Sequence, residues 1–331
     1  MIQLSKHEPG VPITAPGLYA IDDADYHADA LCETPSLSST IARLLLDASP
    51  KHAWAAHPRL NPDTEEEKAS TLDVGSAMHA MLLGHGRDIV ALDFPKWSTN
   101  ASKEARDSAR EAGKIPLLKK DFEAAQRLVA IARVEVDRFP ELAGLFDAGA
   151  IFEQTAIWRE GVLWCRAKLD ILRVFPEFIA IVDFKSTDRS AAPDVIGRQV
   201  FNMGYDVQLA FYRRGLRRVL GPRCPPIRCF LMSQERAGPG ALSIVEPDEA
   251  VLTLADKKVS AALKLWQTCL ERDEWPSYPP FIASVSLPPW VENRWLEREV
   301  NDDALAGAGW AFAMPLPDDD RSADPRLLAA G

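Results

Sequence analysis

The stretch Phe178-Ile179-Ala180-Ile181-Val182-Asp183-Phe184-Lys185 decides how this chain folds, because an apolar run short enough for one strand ends in a carboxylate and an ammonium. Strand side chains alternate with a period of two, so Ile179, Ile181, Asp183 and Lys185 share one face, and Phe178, Ala180, Val182 and Phe184 share the other. An acid at the end of a buried strand is costly to desolvate unless it is paired or bound to a cation. A structural Asp183–Lys185 ion pair would satisfy the same arithmetic. The preceding run, Val162 to Leu172, is a second strand with its own late acid, Asp170, and a short link through Pro176 joins the two as antiparallel neighbours. Asp170 could then approach Asp183, and two carboxylates beside a lysine suit a hard divalent cation.

Outward from this pair, the turn Arg159-Glu160-Gly161 makes a hairpin of Val162–Leu172 with Ile151–Trp158. Glu153 on that first strand either faces the acids or faces water. Upstream, Thr71 to Gly84 has helical spacing with His79 turned inward, beside the small residues Gly75 and Ser76. A lone inward histidine is also an ordinary core residue. Phe122 to Phe139 marks a long amphipathic helix, whereas Lys96 to Lys114 is polar and is expected to be a surface loop with a broken helix. Downstream, a loop through Pro193 is expected to lead into a helix from Met203 to Leu220. That helix carries Gln208 and Tyr212 one turn apart on one face. A strand at Ile227–Ser233 and a helix from Pro247 to Leu270 follow. Proline-rich segments then lead to a last helix at Val291–Val300.

At the N-terminal end, Pro35-Ser36-Leu37-Ser38-Ser39-Thr40 precedes Ile41, Leu44 and Leu45 at helical spacing. Ser36, Ser38 or Ser39 could cap this helix or, with its free N–H groups, bind an anion. Ser49-Pro50-Lys51-His52-Ala53-Trp54 starts another short helix.

The 331 residues are 47% hydrophobic and 26% charged, an ordinary globular composition with ample core. No run approaches a membrane span, and the first residues lack a signal-peptide pattern, so a cytoplasmic protein is expected. Five irregularly spaced cysteines fit reduced thiols. A net charge of −10 argues against a polyanionic partner only as a whole-chain sum. Arg213, Arg214, Arg217, Arg218, Arg223 and Arg228 are locally dense, and either face nucleic acid or line a solvated helix. One domain is expected over 1–300. Its core covers about 71–235, with an N-terminal helical part at 15–60, a helical extension at 247–300 and a disordered tail at 301–331.

The order of helix with His79, strand, strand with Asp170, strand with Asp183 and Lys185, helix with Gln208 and Tyr212, strand resembles the PDDEXK nuclease core. This core is an α/β fold, an α+β mixed sheet of restriction-endonuclease type with flanking helices. Gly75 to His79, Asp170, Asp183 to Lys185, and Gln208 to Tyr212 are similar to the motifs of its RecB-type branch. Asp25-Tyr26-His27-Ala28, the serine-rich segment with Ser49 to Trp54, and Leu287-Pro288-Pro289-Trp290 resemble the RecE-type exonucleases, over about Tyr19 to Glu297. Leu169 stands in place of the proline for which the superfamily is named, and Asp183 where many members have glutamate.

The resemblance implies a Mg²⁺- or Mn²⁺-dependent exodeoxyribonuclease that digests linear duplex DNA from the 5′ end and leaves 3′ tails for recombination, in a phage or prophage setting. Its members act as ring-shaped homo-oligomers, with a single-strand annealing protein as a possible partner and no membrane. Two ions are expected, held by His79, Asp170, Asp183 and the backbone carbonyl of Phe184, with Glu153 a further candidate. Lys185 would act on the attacking water, Gln208 and Tyr212 would line the site, and Ser36, Ser38, Ser39, Arg213, Arg214 and Arg217 would contact DNA. Cys32, Cys224, Cys229 and Cys269 lack the tight grouping of the iron–sulfur members, so no cluster is expected. Two alternatives stay open: a RecB-type nuclease of other polarity or of single-strand or iron–sulfur type, and a non-catalytic subunit that binds DNA ends.

Overall fold

The computed structural model describes residues 2–61, 63 and 73–301. In chain order its elements are β1 (Leu4–Lys6), β2 (Gly17–Ala20), α1 (Asp23–Ala28), α2 (Ser39–Asp47), α3 (Pro50–Ala55), α4 (Asp73–Leu83), β3 (Ile89–Leu92), α5 (Asn100–Glu111), β4 (Ile115–Leu118) and α6 (Lys119–Glu135). There follow β5 (Ile151–Glu160), β6 (Leu163–Val174), β7 (Ile179–Thr187), α7 (Pro193–Asn202), α8 (Tyr205–Leu220), β8 (Ile227–Glu235), β9 (Leu242–Val245), α9 (Glu249–Arg272) and α10 (Pro289–Asn301). The chain divides after Tyr278 into two compact units. In the second, α10 starts at Pro289, and the Trp295 indole donates to Glu299 one turn on. Most of the expected tail lies outside the described residues, as do most of residues 61–70. No described helix is long and apolar enough to cross a membrane.

The first unit is built on a mixed sheet of order β1-β2-β5-β6-β7-β8-β9. The β5–β6–β7 meander is antiparallel, and β8 joins β7 in parallel through the α7–α8 crossover. Two helical layers follow from the two faces of the strands. Ile179 and Ile181 of β7 pack with α2, α8 and α9, while Ala180, Val182 and Phe184 pack with α4 and α6. The D-x-K strand thus keeps the expected alternation, and its burial on both faces explains its unbroken apolar run. Against the sheet, α8 comes unusually close to β5. A Cβ on Gly215 would stand 2.6 Å from the ring of buried Trp158.

Alternation fails at one place. On β6, Leu163, Cys165, Ala167 and Leu169 pack with α8 and α9, yet Ile171 packs on the α4 side. On β5, Ala156 and Trp158 face α8, yet Phe152 faces α4. Both strands reverse at Glu153 and Asp170, which would be cross-strand partners but form no ladder pair. Glu153 has φ +52, a left-handed conformation that an L-residue inside a strand adopts only under constraint.

Three expectations are corrected. Residues 100–111 are a continuous helix, α5, not a broken one. Its Thr99–Ser102 capping box supplies the start, and its less exposed side carries Ser102 with half-buried alanines and arginines, so no apolar stripe marks it. Pro193 opens α7 rather than a loop, since proline at the first helical position loses no hydrogen bond. The N-terminal part is not wholly helical, because β2 pairs with β5 and extends the sheet.

Candidate active site

The β6–β7 ladder runs from Val174↔Ile179 to Ile171↔Val182 and stops there. The next residue on each strand is an acid, Asp170 on β6 and Asp183 on β7, so both carboxylates stand where the two strands part. The N–H of Phe184, two residues beyond the ladder on β7, donates to Asp170 Oδ2 at 2.9 Å. An orphaned backbone donor is thus satisfied by the side chain that the splay exposes.

Helix α4 supplies the third group. His79 Nε2 lies 3.1 Å from Asp170 Oδ2, and its Nδ1 lies 3.4 Å from Glu153 Oε1. One potential ligand atom from each of His79, Glu153 and Asp170 falls within 4.8 Å of the others. Gly75, one turn earlier, lets α4 seat here, since a Cβ there would stand 3.0 Å from the Ser186 hydroxyl and 3.1 Å from Arg236. Carboxylate oxygens with one imidazole fit a Mg²⁺- or Mn²⁺-type ion.

From the other layer, α8 brings Gln208 and Tyr212. The Gln208 amide donates to Asp183 Oδ1 at 3.1 Å and to the Tyr212 hydroxyl at 2.7 Å. Lys185 Nζ is 2.6 Å from Asp183 Oδ2, as expected for side chains on one face of β7. The lysine stays 28% exposed while Asp183 is 1% exposed, so the cation stands at the mouth and its partner beneath it.

The electrostatics report crowding. Burial pushes Asp183 up to about 6, with the charge of Asp170 adding to it and Lys185 opposing. Burial and the charge of Asp170 likewise push Glu153 up to about 7. Burial alone would raise Asp170 too, but His79, Lys185 and the Phe184 N–H outweigh it and hold that carboxyl low. Burial works against the His79 imidazolium, yet Asp170, Glu153 and Asp183 together bring it to about 9. Three carboxylates thus share one pocket, and the protonation shifts mark a place short of positive charge.

The structure therefore brings together His79, Glu153, Asp170, Asp183, Lys185, Gln208 and Tyr212. Glu153 stands with His79 and Asp170, while Asp183 is turned to Lys185 and Gln208. The Phe184 N–H donates to Asp170.

The serines are not brought to this site as free anion ligands. Ser36 is buried, with its N–H and hydroxyl both donated to Asp29, and Ser38 caps α2 by accepting from the Ile41 N–H at 3.3 Å. Ser39 is buried in the first turn of α2. Two arginines are also committed elsewhere: Arg213 is buried and paired with Glu249, and Arg214 grips Glu160 and Asp256. Arg217 is exposed on α8. Sequence reading passed over Lys168, whose ammonium lies 4.0 Å from Glu153. Only its position two residues before Asp170 could have pointed to it.

Residues 38–284 match the family model of a PDDEXK-like domain of unknown function (DUF3799). Among solved structures, a Eubacterium rectale protein provisionally assigned as an exonuclease is 16% identical. The match covers 82% of this chain and 97% of that one, with a TM-score of 0.52. A phage-related exonuclease from Haemophilus somnus 129PT is 14% identical over 60% of this chain and 95% of that one, with a TM-score of 0.27. An alkaline exonuclease from Laribacter hongkongensis is 15% identical over 62% and 95%, with a TM-score of 0.23. No curated protein matches the sequence. The first of these likenesses extends to the fold.

Proposed function

Starting from a chain that belongs to the PDDEXK-like domain family DUF3799, we propose that it is a metal-dependent exodeoxyribonuclease acting on linear double-stranded DNA. The observation that carries this reading is the pair Asp170 and Asp183 at the end of the β6–β7 ladder, with Lys185 beside Asp183 on β7 and His79 reaching Asp170 from α4. A structural ion pair would need one acid and one base. Here three carboxylates crowd two cations, and two of the acids are driven toward neutrality.

His79, Glu153 and Asp170 would hold the divalent cation, with Asp183 beside them for a second. When bound, Mg²⁺ or Mn²⁺ supplies positive charge and Lewis acidity at the scissile phosphate. Lys185 stands at the mouth and stays protonated, because Asp183 and Asp170 raise it against the opposing effect of burial. It orients the attacking water and opposes the charge that builds on the phosphate. Gln208 fixes Asp183 and thereby Lys185, while Tyr212, accepting from Gln208, fixes that amide.

The finer reading rests on the resemblance: digestion from the 5′ end leaving 3′ tails, a role in recombination with an annealing partner, a ring of identical subunits, and a place in the cytoplasm. A ring needs positive potential only on its inner surface, which reconciles DNA with a net charge of −10. The test is digestion of linear duplex labelled separately at each 5′ and 3′ end, with Mg²⁺ and with chelator. Release of the 5′ label first, and only with metal, is expected. Cleavage that persists in chelator overturns the metal-dependent reading.

A further inference from the structure

We propose that Asp23 of α1 is a built-in competitor for a substrate phosphate at Lys168, so that DNA must displace this carboxylate to seat beside the metal site. The inference rests on the nuclease reading above.

Lys168 lies on β6 two residues before Asp170, about 7 Å along the strand. Its ammonium lies over the ring of Tyr26, 5.1 Å from the ring centroid, and the Lys168 backbone N–H donates to the Tyr26 hydroxyl at 3.3 Å. The ammonium is therefore held in place. The fixed anion nearest to it in the site, Glu153 at 4.0 Å, is beyond hydrogen-bond distance, and the Ile21 carbonyl at 3.5 Å is at its limit. The close partner is Asp23.

Asp23 is a different kind of residue from the acids of the site. Its side chain is 45% exposed, while that of Lys168 is 12% exposed, so the acid covers the cation from the solvent side. It sits in the first turn of a six-residue helix with no fully buried residue, capped by Asp22. Tyr26 of the same helix packs beside Lys168, so displacing Asp23 needs only a rotation of its exposed side chain and no shift of the helix. Asp23 thus lies on the solvent side of an ammonium whose inner neighbour, at 4.0 Å, is Glu153 of the pocket. A carboxylate on an otherwise available ammonium, one strand step from the acids, does what a phosphate oxygen would do there. A tether that merely docks α1 would be the other use of the same pair, and it predicts the opposite response to mutation.

The experiment measures equilibrium binding of a fluorescein-labelled blunt duplex to the full chain, in chelator so that nothing is cleaved, across a salt series. Asp23→Asn should tighten binding about two- to fivefold, the range of a partly exposed ion pair. Lys168→Met should weaken it and lower the salt slope by about one contact, and Lys168→Arg should restore the slope. Adding Asp23→Asn to Lys168→Met should change nothing further. Weaker or unchanged binding by Asp23→Asn, or an equal gain in the Lys168→Met background, overturns the proposal and makes the pair a tether. If Asp23→Asn instead loses affinity for Mn²⁺ alone, it is a metal ligand and the proposal falls. A wild-type chain that cleaves DNA with Mg²⁺ but fails these tests leaves the nuclease reading standing, whereas one that neither binds nor cleaves DNA removes both.

Discussion

Two buried acids lie at β6, Asp29 against Arg166 of the strand and Asp170 four residues further along it, and they are treated in opposite ways. Asp29, fully buried and left-handed at φ 54, accepts from the Ser36 N–H at 2.9 Å, the Ser36 hydroxyl at 2.6 Å and Arg166 of β6 at 2.7 Å, with His57 at 3.3 Å. Burial alone would raise its pKa, but these partners hold it low. Asp170, further along the strand, shares its surroundings with two more carboxylates, and the excess of negative charge appears as the raised Glu153 and Asp183. One region is balanced as it folds; the other is left with an excess of negative charge. Buried acids alone do not mark a site, but an unbalanced set of them does.

The sharpest way to break this contrast is to remove one acid from each region. Asp170→Asn and Asp183→Asn should each lower hydrolysis by about 10³-fold or more, and Asp183→Asn should leave the melting temperature in chelator no lower than wild type, since it removes a carboxyl that burial and the charge of Asp170 hold above its ordinary range. Asp29→Ala should do the reverse, costing about 3–5 kcal/mol in urea unfolding because Arg166 is left buried without its partner. A large loss of stability in Asp183→Asn would make the D-x-K pair structural. Next in size, Lys185→Ala should lower kcat and kcat/KM together by about 10² to 10³ while DNA affinity holds. Normal single-turnover cleavage at saturating DNA would make Lys185 a binding residue.

The two regions should also separate by pH. Glu153 and Asp183 have folded pKa values above their unfolded ones, as does His79, so their contribution is fully present at low pH. It is lost as pH rises through about 7, 6 and 9 respectively. Asp29 is depressed, so its contribution is present above the ordinary carboxylate range and lost as pH falls through its lowered value. In chelator the melting temperature should therefore rise on acidification from pH 9 toward 5, then fall at lower pH. Saturating Mn²⁺ should raise it at neutral pH, by the equivalent of about 2.7 kcal/mol at a hundred times Kd, and flatten the upper limb. Glu153→Gln should weaken both effects, and a melting curve indifferent to Mn²⁺ would leave the crowded acids unexplained.

The smallest effect concerns the arginines. Arg213→Gln and Arg214→Gln should change the salt slope of DNA binding by far less than the ~0.9 expected of a lost phosphate contact, because both guanidiniums are spent on Glu249 and Glu160. A full unit lost at either position would mean that its ion pair opens on DNA.

The sequence made the D-x-K strand legible because a strand buried on both faces is apolar without interruption, and Asp170 legible because its strand precedes it through a tight link. Gln208 and Tyr212 followed from helical spacing. Glu153 could be named but not assigned, since its direction depends on a left-handed residue that reverses the alternation of two strands, and a period-two reading assumes no such reversal. The role of Ser36 was hidden for another reason: Asp29 and Arg166, which claim it, are 137 residues apart. Helix α5 escaped because a helix of polar and small residues has no stripe to detect, and α7 because a proline was read as a break.

Gly215 sets the tolerance of the whole arrangement. It lies seven residues beyond Gln208 on α8, about 10 Å along the helix axis, where the helix presses on Trp158. Replacing a mid-helix glycine with alanine ordinarily stabilises a protein. Here the added methyl would meet an indole that has nowhere to go, and the helix would pivot away from the sheet. The Gln208 amide rides on the far arm of that lever, so a shift of a few tenths of an ångström at the fulcrum loosens the grip on Asp183. This stretch of α8 is bound to stay locally weak, because the residue that would strengthen it would dislodge the chemistry two turns away.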